Sequence, residues 1–122
     1  MNAILCVDSD PQALQSLSTI IRSNGYICIS AGTAEDAVRA LLASCVDLVI
    51  LNQDAEKFAL AAKLKRFRSV PTILITDKPD REQKPSGVDV LSPKPIRVRE
   101  LLATISALLT SSLRLRRLHR VA

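Results

Sequence analysis

Polar side chains stand directly after four apolar runs of this sequence, and their types are those that bind ions or accept transferred groups. The four groups are residues 8–10, 52–54, 76–77 and 92–95. Carboxylates can hold a divalent cation or act as nucleophiles, and a lysine can pair with an anion. Whether these residues act together depends on the elements that carry them.

Short apolar runs alternate with helix-forming segments along the whole chain. The runs predict strands at 3–7, 26–30, 47–52, 72–76 and 88–91, and the segments predict helices at about 11–24, from Thr33 onward, at about 55–67 and from about Val98. This alternation predicts an α/β fold, a doubly wound five-stranded parallel sheet of flavodoxin-like order 2-1-3-4-5. The carboxyl ends of its strands would bring the four polar groups to one edge, where ligands bind in such sheets.

The segment between the fourth and fifth predicted strands is short and rich in proline. Pro79 and Pro85 flank a stretch that can form a turn of helix at most. We therefore expect a shortened fourth helix. The last helix, with apolar residues from Val98 to Leu109 at helical spacing, is expected to be the longest.

Composition places the chain among ordinary globular proteins of one domain. It has 122 residues, 48% hydrophobic and 24% charged, with no apolar run long enough for a membrane span and no signal-peptide pattern. We expect a cytoplasmic protein. Cys6, Cys28 and Cys45 lack metal-site spacing, so reduced, buried thiols are expected.

The net charge of +5 belongs mainly to the last ten residues, which hold four of the 17 Lys and Arg side chains. We expect residues 1–112 to form the domain and 113–122 a basic extension of the last helix. Its leucines alternate with arginines, which fits either a frayed polar end or a helix that pairs with a partner or a second copy. Without interleaved aromatic residues, neither nucleic acid nor membrane is the expected partner.

Four strand-end segments together resemble a known family. ILCVDSDP, DLVILN, PTILIT and SPKP are similar, in this order, to the signatures of response-regulator receiver domains, and the resemblance extends to about residue 110. It implies a carboxylate nucleophile at the end of the third strand. It also implies a magnesium ion held by that carboxylate and by an acidic pair after the first strand.

The sequence departs from the family at both places. Asn52 stands at the acceptor position, and Ser9 replaces the second acid, which leaves Asp8 and Asp10 as a remnant of the acidic pocket. With Asp8 as the one carboxylate candidate for a metal, we expect no cofactor and weak or absent magnesium binding.

The rest of the family's site is partly retained. Thr76 matches its switch hydroxyl, Lys94 its phosphate-contacting lysine, and Pro95 follows in a bond that is usually cis in the family. Leu91 occupies the position of the switch aromatic, so a rotating ring is missing and we expect a disabled switch.

Each of these residues also has a structural interpretation. Asp8 and Lys94 would form an ion pair across the sheet edge. Thr76 would satisfy backbone groups. Asp54 either replaces the lost acceptor or, as we expect, caps the third helix.

These residues favour a pseudo-receiver, which signals by protein interaction without phosphorylation. Its partner would be a histidine kinase, another regulator or its own copy, including a homodimer through the last helix. We expect no catalytic residue and no small-molecule substrate, because the chain has no glycine-rich phosphate loop and no nucleophile beside a base. The alternatives are a phosphorylation switch with an atypical acceptor, and attachment to nucleic acid or membrane through the basic tail.

Overall fold

The computed structural model describes residues 1–52, 57–77 and 84–121, with side chains for all of these except 57, 58 and 112–121. The strands are β1 Ala3–Val7, β2 Ile27–Ala31, β3 Leu48–Asn52, β4 Thr72–Thr76 and β5 Val90–Pro93. The helices are α1 Pro11–Ser23, α2 Ala34–Ala43, α3 Lys57–Phe67 and α4 Val98–Val121.

The five strands form one parallel sheet in the order β2-β1-β3-β4-β5, which confirms the predicted architecture. The register pairs Val7 with Leu51 and Asn52 with Ile75. Thr76 pairs with Pro93. The ends of β1, β3, β4 and β5 therefore lie side by side, and the residues that follow them share one edge.

Both faces of the sheet are covered, so the strands contribute to two core layers. Leu5 and Val7 of β1 belong to the layer that includes residues of α2 and α3. Ile4 and Cys6 belong to the opposite layer, with residues of α1 and α4. Every residue of β1 is buried because successive side chains point to opposite covered faces, and such strands are apolar throughout.

Two helix caps lie where the sequence predicts them. The Asp10 carboxylate accepts a hydrogen bond from the Gln12 backbone N–H at 3.0 Å and begins α1. The Thr33 hydroxyl accepts one from the Asp36 N–H at 3.1 Å and begins α2. Each cap satisfies a backbone donor that the first turn leaves without a partner.

Some boundaries differ from the predicted ones, most clearly at β5, which begins two residues later than expected. Gly87 adopts a φ of +85°, and the Val88 N–H bonds to the Pro85 carbonyl in a turn. The Asp89 carboxylate then accepts a hydrogen bond from the Thr72 N–H at 2.7 Å, which ties the turn to the start of β4. The first two predicted strand residues are used in this junction.

The connection between β4 and β5 is described at Asp77 and at 84–89, and none of these residues is helical. The shortened helix that we expected between Pro79 and Pro85 would fall mainly on the residues in between, so it stays a prediction. Residues 78–83 lie outside the description.

The prediction of three buried thiols is wrong for one cysteine. Cys6 and Cys28 are buried in β1 and β2, but Cys45 is exposed. It lies between the last residue of α2 and the start of β3, where the chain passes over the surface.

The longest helix, α4, packs its first half on the sheet. Leu101 and Ile105 are fully buried, and Leu108 and Leu109 pack beside them. The pairing of its last turns with a partner stays a prediction, because their side chains lie outside the description. In the part of the chain that is described, no helix has the length and apolar character that crossing a membrane requires.

Arg68, just after α3, closes the C-terminal end of α2. Its guanidinium donates hydrogen bonds to the carbonyls of Leu41, Ser44 and Val46 at 3.1, 2.9 and 3.2 Å. These carbonyls lie at the end of α2 and in the turn before β3. A cation at a helix C-terminus also interacts favourably with the helix dipole.

We expect Arg68→Ala to lower the free energy of unfolding by about 2 kcal/mol, since charge-assisted hydrogen bonds to half-buried carbonyls are lost together. Urea denaturation measures this loss. Arg66→Ala is the matched control, because Arg66 is exposed in the last turn of α3, two residues before Arg68. Equal losses in the two variants would contradict the role given to Arg68.

Candidate functional site

A pocket at the carboxyl edge of the sheet collects most of the predicted site residues. It has a volume of ≈ 340 Å³, and its lining includes Asp8, Asp10, Asn52, Lys94 and Pro95. These residues follow β1, end β3 or follow β5, so the parallel sheet itself brings them together.

Asp8 is the centre of the hydrogen bonding in this pocket. Its side chain is 5% exposed. One carboxylate oxygen accepts the Asp10 backbone N–H at 2.9 Å. The other accepts the Asn52 side-chain amide at 2.6 Å. Both oxygens of this buried carboxylate are therefore engaged by donors of the chain itself.

Asn52 presents the NH₂ end of its amide to the pocket's carboxylate. A carboxylate can only accept from this neighbour, so the hydrogen bond fixes the orientation of the amide. The chain thereby places a neutral donor at the end of β3.

The expected ion pair between Asp8 and Lys94 is not among the ion pairs that the described residues form within 4.0 Å. Lys94 is exposed, although it lines the same pocket. Its backbone N–H bonds to the Thr76 carbonyl at 2.9 Å, and the Lys94-Pro95 peptide bond is cis. Asp8 is instead held by the Asn52 amide, which reaches it from the adjacent strand.

Thr76 lies at the end of β4, and its side chain is 1% exposed. Leu91 is half-buried in β5 and packs against the core layer of α2 and α3. Ser9 is exposed and does not line the pocket. Asp54, the alternative acceptor, lies outside the described residues.

The donor set does not fit the magnesium ion that the resemblance implies. Magnesium prefers octahedral coordination by hard, anionic oxygens. Asp8 has both oxygens in hydrogen bonds, and one Asp10 oxygen caps α1. The Asn52 amide turns N–H groups, which cannot ligate a cation, toward the Asp8 carboxylate.

Sequence reasoning missed the apolar wall of the pocket. Ala13 and Leu17 of α1, Ile75 of β4 and Ile96 complete its lining. The spacing of Ala13 and Leu17 by four residues places them on one helix face, which is the signal that could have found them. A search restricted to polar residues does not find these apolar lining residues.

Comparison with known proteins gives a consistent result. No model of a known protein family matches the sequence. The chain is 32% identical over 115 residues to the transcriptional regulatory protein BasR of Escherichia coli K12, covering 87% of this chain and 51% of BasR. The chain thus spans about half the length of the curated relatives it matches.

Solved structures show the same fold over nearly the whole chain. A CheY-like response-regulator receiver domain of Methanospirillum hungatei JF-1 matches with a TM-score of 0.81 and 25% identity, covering 93% of this chain and 98% of that one. Response regulator TrrA of Thermotoga maritima, in complex with Mg²⁺ and BeF, has the fold with a TM-score of 0.78 at 23% identity over 88% of this chain and 99% of its own. The strand-end residues, the sheet order and these likenesses lead to one conclusion: the chain belongs to the response-regulator receiver domains of two-component systems.

Proposed function

We propose that this receiver domain is not phosphorylated at the usual acceptor position and acts in two-component signalling through protein interaction. The observation that carries the proposal is the 2.6 Å hydrogen bond from the Asn52 amide to Asp8. At the matching position the resemblance implies a carboxylate with a cation beside it, and this chain has an amide there.

The chemistry of an amide supports the first half of the proposal. Transfer of a phosphoryl group to the family's acceptor requires a carboxylate oxygen that becomes an acyl phosphate. The amide of Asn52 carries no negative charge, and its nitrogen lone pair is delocalised into the carbonyl. It cannot form the acyl phosphate, and it adds no anionic ligand for magnesium.

The engagement of Asp8 supports the second half. In a pocket with several carboxylates, a cation offsets their repulsion and couples the site to ligand binding. Here an N–H group of Asn52 stabilises Asp8. The chain's own hydrogen bonds stabilise this buried carboxylate, and we infer one resting conformation that a partner recognises.

The partner proposed is a protein: a histidine kinase, another regulator or a second copy of the chain. No enzymatic reaction of its own is proposed, because the pocket pairs no nucleophile with a base. An atypical acceptor such as Asp54 remains the competing function, and it is separated from this one by direct measurement of phosphorylation.

Beryllofluoride with Mg²⁺ tests whether the pocket takes up a phosphoryl mimic. Amide NMR spectra of the natural chain should not change on addition of both, whereas Asn52→Asp should show shifts around residues 8–10 and 52, because it restores a carboxylate. Shifts of the natural chain at these residues would contradict the proposal. The same spectra show that the variant is folded.

A further inference from the structure

Strand β2 is an outer strand of the sheet, and half of its residues turn their backbone groups away from β1. In the sheet of the described residues, β1 is the strand that pairs with it. The Ile27 N–H bonds at 2.9 Å, and the Ala31 carbonyl at 3.1 Å, to the backbone of the residues that flank β1. Because backbone groups alternate in direction along a strand, Cys28 and Ser30 direct theirs outward.

The two outer strands differ in the features that prevent pairing with another chain. Charged residues and proline are the usual protection of an outer strand. β5 ends in Pro93 and lies between Asp89 and Lys94. Residues 23–34, which contain β2, have neither a charged residue nor a proline. β2 is therefore the outer strand that remains able to pair.

Ile27 adds an exposed apolar side chain to this edge of the sheet. It is 46% exposed. It lies two residues before Ile29, which packs against the core layer of α2 and α3, so both side chains stand on the same face of the sheet. A strand laid beside β2 would remove apolar surface of Ile27 from water, which favours association.

Arg22, in the last turn of α1, covers part of the edge by a long contact. Its guanidinium donates to the Cys28 carbonyl at 3.5 Å, whereas N–H donors usually lie at about 2.7–3.2 Å from a carbonyl oxygen. Arg22 is itself exposed. A backbone N–H of an added strand would make the shorter bond to this carbonyl, and the arginine would return to solvent.

We propose that β2 is an interaction surface at which two copies of the chain pair their β2 strands antiparallel, about a two-fold axis at Ile29. In this register Cys28 of each copy lies opposite Ser30 of the other. Both residues direct their backbone groups across the interface, so each of the two pairs exchanges two hydrogen bonds. Ile27 of each copy lies opposite Ala31 of the other, on the same apolar face. Because the strand is complementary to itself about its centre, the partner that it fits is a second copy.

This inference rests on the proposed function only in taking a second copy as the partner. Residues of β2 do not line the pocket of Asp8. A chain that failed to pair would overturn the inference and leave the absence of phosphorylation at Asn52 untouched, and the reverse also holds.

Sedimentation equilibrium of the full natural chain measures the association, and amide hydrogen exchange followed by NMR locates it. We expect a monomer–dimer equilibrium. Exchange of the Cys28 and Ser30 amides should slow at least about threefold as the dimer forms, because both N–H groups become bonded across the interface. A monomer at every concentration up to about 1 mM would overturn the proposal. So would a dimer whose formation leaves both amides unchanged, as pairing through α4 would do.

Two lysine variants separate contact at β2 from general charge repulsion. Ile27→Lys should raise the dissociation constant of the dimer about tenfold or more, since a charge protects an outer strand and each dimer carries the substitution twice. Leu42→Lys is the matched control, because it adds the same charge at an apolar residue of α2 that is 59% exposed. It should leave the dissociation constant unchanged. Equal weakening by both variants would refute the pairing of β2.

Ser30→Pro tests the backbone bonds themselves. Proline removes an N–H that points outward and leaves the hydrogen bonds between β2 and β1 in place, which is where outer strands tolerate it. The dimer should weaken about tenfold or more, since two interface bonds are lost. The NMR spectrum of the variant shows that it is folded. A folded variant that dimerises like the natural chain would contradict the proposed register.

Discussion

Asn52→Asp lowers the free energy of unfolding by about 2 to 4 kcal/mol at neutral pH without divalent cations. The substitution removes the N–H that Asp8 accepts at 2.6 Å and places a second carboxylate against it. Two carboxylates this close repel each other in a site that is largely shielded from water. Lowering the pH restores stability, because protonation of one carboxyl supplies a donor again.

Urea denaturation with and without Mg²⁺ measures this effect. Magnesium should stabilise Asn52→Asp by neutralising the paired carboxylates and should leave the natural chain unchanged. Asn52→Leu is the matched control, since it removes the donor without adding charge and should gain nothing from magnesium. If the natural chain were stabilised as much as Asn52→Asp, the proposed loss of the metal site would be wrong.

We expect Gly87→Ala to lower the free energy of unfolding by about 3 kcal/mol or more. Gly87 has a φ of +85°, which side chains other than glycine rarely adopt. A Cβ here would also lie 2.6 Å from the Ala61 backbone carbon in α3. Because this contact is with backbone, the turn before β5 or the helix must shift.

Gly25→Ala measures the conformational part of this cost alone, so its difference from Gly87→Ala gives the steric part. Gly25 has a similar φ of +88°, but a Cβ there meets nothing within 4 Å. The free energy of unfolding of Gly25→Ala should therefore fall only by the conformational cost, about 1 kcal/mol. Urea midpoints of both variants give the comparison. Equal losses would mean that α3 and the turn do not pack as closely as the structure shows.

The sequence predicted the sheet well because its strands are buried on both faces. Continuous apolar runs such as 3–7 and 72–76 have few alternatives to a central strand, and their predicted limits match β1 and β4. The start of β5 was predicted less well. Its position depends on a turn at Gly87 and on the contact of Asp89 with Thr72, which local residue preferences do not contain.

The sequence predicted which edge of the sheet holds the site, but not which of the site's residues contact one another. Parallel strands bring their carboxyl ends together, so the positions of Asp8, Asn52 and Lys94 after predicted strands were enough to place them near one another. Which of them bond was not predictable from their types: Asp8 bonds to the amide of the adjacent strand, where we expected the lysine. The Cys6 and Cys28 contact likewise depends on strand register, which local sequence patterns do not determine.

Intact mass after incubation with a small acyl-phosphate donor and Mg²⁺ tests the central claim most directly. The account predicts that the natural chain keeps its mass, while Asn52→Asp gains one phosphoryl group because a carboxylate again stands at the end of β3. A phosphoryl group on the natural chain would contradict the account, and Asp54 and Asp8 would then be the acceptors to map.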